Sequence, residues 1–60
     1  MRYDIYLVDH KDGTYDATIR DNKKLKEDKN YTITIYDIDK HSLKLLTKKY
    51  HTMKTNYYMI

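Results

Sequence analysis

The sequence predicts an α+β domain in which a three-stranded antiparallel sheet, a β-hairpin plus a third strand, carries one C-terminal helix packed on one face. Three observations support this fold class. Two alternating runs flank the only glycine, a third run is rich in β-branched residues, and apolar residues recur at helical spacing near the C-terminus. A chain of 60 residues suffices for one small domain of marginal stability, so we expect a single domain over residues 1–60.

The first two strands, at about residues 2–9 and 14–20, are predicted to form a hairpin around Gly13. A two-residue loop would place Asp9 opposite Asp16, and like charges directly opposite each other destabilise a strand pair. A three-residue loop instead pairs apolar residues and opposite charges, and its last position favours glycine. We therefore predict the pairs Leu7–Ala17, Ile5–Ile19 and Asp4–Arg20.

The third strand, at about residues 31–38, is rich in β-branched residues. It follows a polar stretch over residues 21–30 that we interpret as a solvated loop or one frayed turn of helix. Alternation divides the side chains of the three strands between two faces of the sheet. The face predicted to form the core carries Tyr3, Ile5, Leu7, Tyr15, Ala17, Ile19, Tyr31, Ile33 and Ile35. The second face is predicted to carry Asp4, Tyr6, Val8, Asp16, Thr18, Arg20, Thr32, Thr34, Tyr36 and Ile38.

A helix over about residues 40–55 is predicted to cover the core face. Asp39 can cap its start and Asn56 can close its end. The alternative is a small all-β, SH3-like barrel with two further strands at residues 42–47 and 50–53, because Thr, Tyr and His lower the helix propensity. The helix is favoured by five residues spaced by three, four, three and four positions. They are Leu43, Leu46, Tyr50, Met53 and Tyr57.

The amino-acid composition indicates which cellular location and which kinds of contact to expect. The chain has no cysteine and no apparent signal peptide, so we expect a cytoplasmic protein without disulfides or thiolate metal sites. Its apolar runs are too short to cross a bilayer, and no membrane association is expected. Eight tyrosines are its only aromatic residues, and a core built from tyrosine leaves rings at the surface. Small domains with such thin cores often gain stability by self-association.

Charge is distributed unevenly along the chain. The net charge is +3, all nine acidic residues lie at or before Asp39, and seven Lys and His residues follow without an acid. A merely solvated helix usually mixes both signs, although lysines also fill the exposed side of many ordinary helices. The acid-free stretch therefore predicts a binding surface for an acidic protein or for phosphates. Its candidate binding residues are Lys44, Lys48, Lys49 and Lys54.

The second face of the sheet is the other predicted contact surface, with Tyr6, Tyr36 and Arg20 as candidate binding residues. Exposed rings beside an arginine can pack against a partner protein or a second copy, and they can also stack on nucleic-acid bases. We rank protein or dimer contact first, base stacking second and an inert face third. A homodimer through this face or through an open sheet edge is therefore a further expectation.

Catalysis is not expected. The sequence has no nucleophile elbow and no phosphate-binding glycine loop, and Ser42 is its only serine. Asp37, Asp39 and His41 alternate, so they could meet at one hard cation in a metal-dependent hydrolase. The same stretch reads more simply as a helix cap followed by a solvated histidine. We therefore predict no metal, no cofactor and no enzymatic activity.

These inferences combine into a small, basic, non-enzymatic binding protein that occupies and modulates a host macromolecule. The bias toward Lys, Asn, Tyr and Ile is typical of A/T-rich coding, as in low-GC bacteria and their phages. A phage or mobile-element accessory is therefore our expectation for its class. The partner is either a host protein, which the chain would inhibit, or a nucleic acid held by the lysines.

Overall fold

The computed structural model describes residues 2–24, 31–51 and 55–60. In chain order the elements are strands β1 (Tyr3–Asp9), β2 (Thr14–Asp21) and β3 (Thr32–Asp39), helix α1 (Lys40–Tyr50) and strand β4 (Thr55–Met59). The α+β class is as predicted. The sheet, however, is mixed and has four strands instead of three, in the order β3-β2-β1-β4. The all-β barrel is wrong, because residues 42–47 lie within α1.

The β1–β2 hairpin has the predicted register. The backbone N–H of His10 donates to the carbonyl of Thr14 at 3.1 Å and closes a three-residue loop. Lys11 and Gly13 in this loop have positive φ angles of 62° and 91°. Glycine adopts such a φ without a steric cost, which explains its place at the end of the loop. The observed pairs include the three predicted ones, Leu7–Ala17, Ile5–Ile19 and Asp4–Arg20.

A bulge in β3 moves one residue to the other face of the sheet. Ile35 lies opposite Ala17 and Ile38 lies opposite Tyr15, so β3 has one residue more than β2 between these two pairs. Asp37 in the bulge has a φ of 54°, a left-handed conformation that aspartate tolerates. The extra residue reverses the alternation, and Ile38 packs against the core. Its predicted place on the second face is therefore wrong.

Helix α1 follows β3 directly and covers the core face. A carboxylate oxygen of Asp39 accepts a hydrogen bond from the N–H of Ser42 at 2.7 Å, which is the predicted N-cap. Leu43, Leu46 and Tyr50 are half-buried against the core, as their spacing predicts. The helix ends at Tyr50, before its predicted end at about residue 55. Among the described residues, no helix has the length and apolar content needed to span a membrane.

Strand β4 covers Thr55–Met59, which includes the predicted end of the helix at about residue 55, its predicted cap Asn56 and the stripe residue Tyr57. It pairs with β1 in parallel and places Tyr57 opposite Ile5. The chain passes from β3 at one edge of the sheet to β4 at the other, and α1 forms most of this connection. Asn56 lies within this strand, so its predicted role in closing the helix is wrong. The predicted stripe residue Met53 lies outside the described residues.

The core is small and lies between α1 and the two central strands. Its buried apolar residues in the described part of the chain are Ile5, Leu7, Ala17 and Ile19. Ile33, another predicted core residue, is 46% exposed because it lies on the edge strand β3. The partly buried residues packed around this core are Tyr3, Ile35, Ile38, Leu43, Leu46 and Tyr50.

Candidate binding surfaces

The predicted binding residues lie on two opposite sides of the molecule. One group belongs to α1, and the other belongs to the side of the sheet that α1 leaves uncovered, which we call the open face. The two groups cannot contact one flat partner surface at the same time. The helical group is Lys44, Lys48 and Lys49, and the sheet group is Tyr6, Tyr36 and Arg20. The remaining candidate, Lys54, lies outside the described residues.

The solvent-facing side of α1 combines cations with an exposed leucine. Leu45 lies opposite the side of the helix that packs on the core, and it is 58% exposed. Four exposed basic residues surround it at neighbouring helical positions. We call these five residues, His41, Lys44, Leu45, Lys48 and Lys49, the helix surface.

The positive charges of the helix surface are not neutralised within the described residues. None of the lysines of α1 forms an ion pair with a carboxylate there. Lys48 and Lys49 occupy the last turn, where the helix dipole favours cations. The ammonium of Lys49 also lies 5.7 Å from the ring centre of Tyr50, a contact that leaves its charge uncompensated. The helix surface is therefore available to a negatively charged partner.

A cavity of about 420 Å³ extends this positive region between the end of α1 and β4. It is lined by Thr47, Lys48, His51 and Tyr57. The hydroxyl of Tyr57 donates to the carbonyl of Thr47 at 3.1 Å and joins β4 to the helix. Among the described lining residues, Lys48 and His51 are basic, so the cavity continues the positive side of the helix.

The open face carries a row of side chains at one level across all four strands. Tyr58, Tyr6, Thr18 and Thr34 are successive neighbours in this row. The rings of Tyr6 and Tyr58 stack, with centres 5.1 Å apart and an interplanar angle of 18°. The hydroxyl oxygens of Thr18 and Thr34 are 3.1 Å apart and share a hydrogen bond. Beside this row, Tyr36 is 70% exposed.

The open face has opposite charges on the two sides of this row. Arg20 is exposed and has no ion-pair partner in the described part of the chain. Asp16 lies four residues earlier on the same strand and face, with Thr18 midway between them. The carboxylate of Asp16 accepts the N–H of Asp37 at 3.0 Å, and the Asp37 side chain itself is 77% exposed. The face therefore carries a cation, Arg20, beside the carboxylate of Asp4 at one end, and the two carboxylates of Asp16 and Asp37 with His10 at the other.

His10 connects the hairpin loop to the bulge. Its Nε2 lies 3.0 Å from Asp16 Oδ2, and its Nδ1 lies 3.4 Å from Asp37 Oδ1 and 2.9 Å from Thr14 Oγ1. The hydrogen bond to Asp16 raises the pKa of His10 above its ordinary value, against the opposing effect of desolvation. The N–H of Asp37 lowers the pKa of the Asp16 carboxyl. A protonated His10 thus holds both carboxylates near β1.

His10, Asp16 and Asp37 form the one group in the described residues whose potential metal-ligand atoms all lie within 4.8 Å of one another. A cation would have to replace the hydrogen bonds that already join them. The metal cluster considered from the sequence does not form, because Asp39 caps α1 while Asp37 lies in the bulge. His41 accordingly belongs to the helix surface.

Sequence reasoning missed three features of these surfaces. Leu45 was not singled out, although its helical position opposite Leu43 and Leu46 could have indicated exposure. Tyr58 was missed because its segment was not recognised as a strand beside β1. The contact of His10 with Asp37 depends on the bulge, for which the sequence has no clear signal.

No family model, curated protein or solved structure matches this chain.

Proposed function

We propose that this chain is a small non-enzymatic binding protein that docks its helix surface onto an acidic surface of a host protein and thereby modulates that protein. The observation that carries the proposal is the exposed Leu45 at the centre of four exposed basic residues. Protein interfaces bury apolar side chains at their centre and leave charged groups at the rim. The surrounding cations accelerate the encounter with an acidic partner and select its orientation.

Nucleic acid is the second candidate partner, and the unpaired lysines of α1 favour it. Lys44, Lys48 and Lys49 would release counterions from a phosphate backbone. Such binding depends on charge and gives no role to an exposed leucine between the lysines. The pattern of an apolar centre and a cationic rim therefore favours a protein partner over nucleic acid.

One chain of contacts has the connectivity of a nucleophile, a base and an orienting acid, namely Thr14, His10 and Asp16. Two features argue against catalysis there. The hydroxyl of Thr14 donates to Asp12, so its proton is not directed at the imidazole. The raised pKa of His10 favours the protonated ring, which cannot accept a proton. These features support the non-enzymatic part of the proposal.

The test compares two double variants of equal charge. K44E/K48E reverses two charges on the helix surface, and K11E/K23E reverses two exposed lysines elsewhere. Each replacement changes the charge by two, so both variants take the net charge from +3 to −1. A third variant, Leu45→Ser, removes the apolar centre and keeps every charge. Circular dichroism first establishes that all three variants fold.

Immobilised wild type and variants are then presented with a lysate of the natural host cell, and the retained proteins are identified and quantified. We expect one acidic protein to bind wild type and K11E/K23E, and to be lost with K44E/K48E and with Leu45→Ser. Binding of the purified partner should lose at least one order of magnitude in affinity with either helix variant. Equal retention by all four proteins would overturn the proposal.

A salt titration with a short DNA duplex and a single-stranded RNA tests the second candidate. A phosphate-binding role requires the logarithm of the affinity to fall with log salt at about −0.9 per neutralised phosphate on duplex DNA. It also requires K44E/K48E to abolish binding while Leu45→Ser leaves it intact. That combination of results would replace the protein partner with nucleic acid.

A further inference from the structure

The open face lies on the opposite side of the sheet from the helix surface. We propose that two copies of this chain associate through their open faces about a two-fold axis passing by Thr18, so that Arg20 of each copy meets the partner's Asp16 and Asp37. This inference does not depend on the proposed function. It rests on the register of the four strands and on the charges along β2.

The register makes the open face complementary to itself. Asp16, Thr18 and Arg20 alternate along β2 and share this face. A two-fold axis that crosses β2 at Thr18, parallel to the sheet, lays β2 antiparallel over its own copy. Arg20 then lies over the partner's Asp16, about 14 Å from its own Asp16 at about 3.4 Å per residue. A symmetric contact of this kind closes on itself as a dimer.

The same axis brings the aromatic residues of the two copies together. Tyr58, Tyr6 and Thr34 lie at the level of Thr18 on their strands, so the axis runs along this row. The stacked pair of Tyr6 and Tyr58 therefore faces the same pair of the partner. Burying these rings removes apolar surface from water while their hydroxyls can reach the rim of the contact.

The charges at the two ends favour this arrangement over others. Arg20 has no ion-pair partner in the described residues, and its cross-strand neighbour Asp4 accepts a hydrogen bond from Asn22. At the other end, His10 offsets only part of the charge of the two carboxylates, Asp16 and Asp37. A nucleic acid on this face would meet that negative end, which repels phosphates. A second copy turned by the two-fold axis brings each Arg20 to the partner's two carboxylates, while Asp4, held by Asn22, lies over the partner's Val8.

The sheet edges are poorer dimer contacts than the open face. The free edge of β3 is interrupted by the bulge at Asp37, and bulges at edges oppose pairing with another chain. The other edge strand, β4, has only five residues. Four strands spaced at about 4.8 Å give an open face on the order of 500 Å² per copy. Two such faces bury about 1,000 Å² together, at the lower limit for a specific interface, so we expect micromolar association.

Sedimentation velocity over a range of concentrations tests this dimer. We expect wild type to pass reversibly from monomer to dimer in the micromolar range. Arg20→Asp and Asp37→Arg each place like charges opposite each other and should weaken association at least ten-fold. The combination R20D/D37R again places opposite charges at positions 20 and 37 while Asp16 keeps its sign, so it should recover part of the affinity that Arg20→Asp loses. Tyr6→Ser removes the central ring without a change in charge and should also weaken the dimer.

Circular dichroism and thermal unfolding of each variant separate loss of association from loss of folding. Tyr6→Ser keeps the test decisive if a replacement at Asp37 fails to fold. A wild type that stays monomeric at all concentrations would overturn the inference, as would a dimer that ignores both Arg20→Asp and Tyr6→Ser, the result expected for pairing at an edge. Since these variants leave the helix surface intact, they should bind the partner of α1 as wild type does. Dimerisation and binding of the partner of α1 are therefore measured independently, so that either proposal can fail without the other.

Discussion

Aspartates in the hairpin loop and at the ends of elements accept hydrogen bonds from backbone N–H groups two or three residues later. Asp9 accepts the N–H of Lys11 at 2.7 Å, Asp12 that of Thr14 at 2.9 Å, and Asp39 that of Ser42 at 2.7 Å. Short carboxylates hold turns and helix starts in this way because they replace a missing backbone partner. The chain has one glycine and no proline, and aspartate side chains provide hydrogen bonds that stabilise its turns and the ends of its strands.

Replacing Asp39 should weaken the start of α1. Asp39→Ala removes the acceptor of the Ser42 N–H, and we expect the midpoint of thermal unfolding to fall by roughly 4–8 °C. Asp39→Asn keeps an acceptor at the same place and should lose much less. Thermal melts followed by circular dichroism measure both variants. An equal loss in the two would mean that the charge of Asp39, and not its cap, stabilises the fold.

The ion pairs of His10 predict a loss of stability as the pH rises. The pKa of His10 is raised, chiefly by its hydrogen bond to Asp16, so the folded protein binds this proton more tightly than the unfolded chain. The stabilisation is complete below the unfolded pKa of histidine, about 6.5, and disappears as the pH rises through the higher folded value. Asp37 and Asp12 also face His10, and their charges raise its pKa further.

Urea unfolding at a series of pH values from weakly acidic to weakly alkaline measures this dependence. Wild type should become less stable across the window just described, and His10→Gln should remove most of the slope. His51→Gln is the matched control, because His51 has no carboxylate partner in the described part of the chain and should keep the slope. A His10→Gln protein with the wild-type slope would contradict the assignment.

At the scale of elements, the loop length of the hairpin and the register of β1 with β2 follow from residues that are close together in the sequence. The choice of a three-residue loop was decided by Asp9 and Asp16, whose repulsion excludes the shorter loop, and the observed register agrees. The bulge in β3 could not be predicted, because the left-handed residue there is Asp37 and not a glycine. Only the pairing of Tyr15 with Ile38 across the sheet reveals it.

The bulge places Ile38 on the core face, whereas strict alternation would place it on the open face. The two placements predict opposite orders for the cost of replacing Ile38 and Tyr36. Ile38 packs against the core, so Ile38→Ala should cost about 1–3 kcal/mol of unfolding free energy, less than for a fully buried isoleucine. Tyr36→Ala, at a mostly exposed side chain, should change it by no more than about 0.5 kcal/mol. Urea unfolding, at concentrations below dimerisation, measures both. A larger loss of unfolding free energy for Tyr36→Ala than for Ile38→Ala would mean that Tyr36 packs in the core, and it would contradict the bulge.

The boundary between α1 and β4 was mispredicted because one residue satisfies two patterns. Tyr57 continues the helical spacing of Leu43, Leu46 and Tyr50, and it also alternates with Thr55 and Met59 as in a strand. Pairing with β1 decides between them, because it satisfies backbone groups of β1 that would otherwise form the edge of the sheet. Such a long-range parallel contact leaves no local signature.

At the scale of the whole molecule, α1 and the open face separate the two candidate surfaces. The charge of the helix surface was predicted from the acid-free stretch after Asp39, since local spacing places Lys44 and Lys48 on one side. The stacked pair of Tyr6 and Tyr58 on the open face was not predicted, because it needs β4 paired beside β1. Local patterns therefore indicate which residues are exposed, and the sheet topology decides which of them act together.

The core contains few buried residues, so truncating one of them should remove a large part of the total stability. At about 0.05–0.15 kcal/mol per residue, a domain of this length has a total stability of only about 3–9 kcal/mol. Ile5 is fully buried, with Ile19 and Tyr57 as its neighbours on the adjacent strands. Ile5→Ala should cost about 2–5 kcal/mol, enough to unfold much of the population at physiological temperature.

The conservative replacement Ile5→Val should cost about 0.5–1.5 kcal/mol and leave the protein folded. Ile33→Ala is the control for position, because Ile33 is about half exposed on the edge strand and should lose less than Ile5→Ala. Circular dichroism melts and urea unfolding at equal protein concentration compare the three variants. The order of stability should be Ile5→Val, then Ile33→Ala, then Ile5→Ala. A well-folded Ile5→Ala protein with a melting midpoint near that of wild type would mean that the four buried residues do not determine stability, and that association between copies stabilises the fold instead.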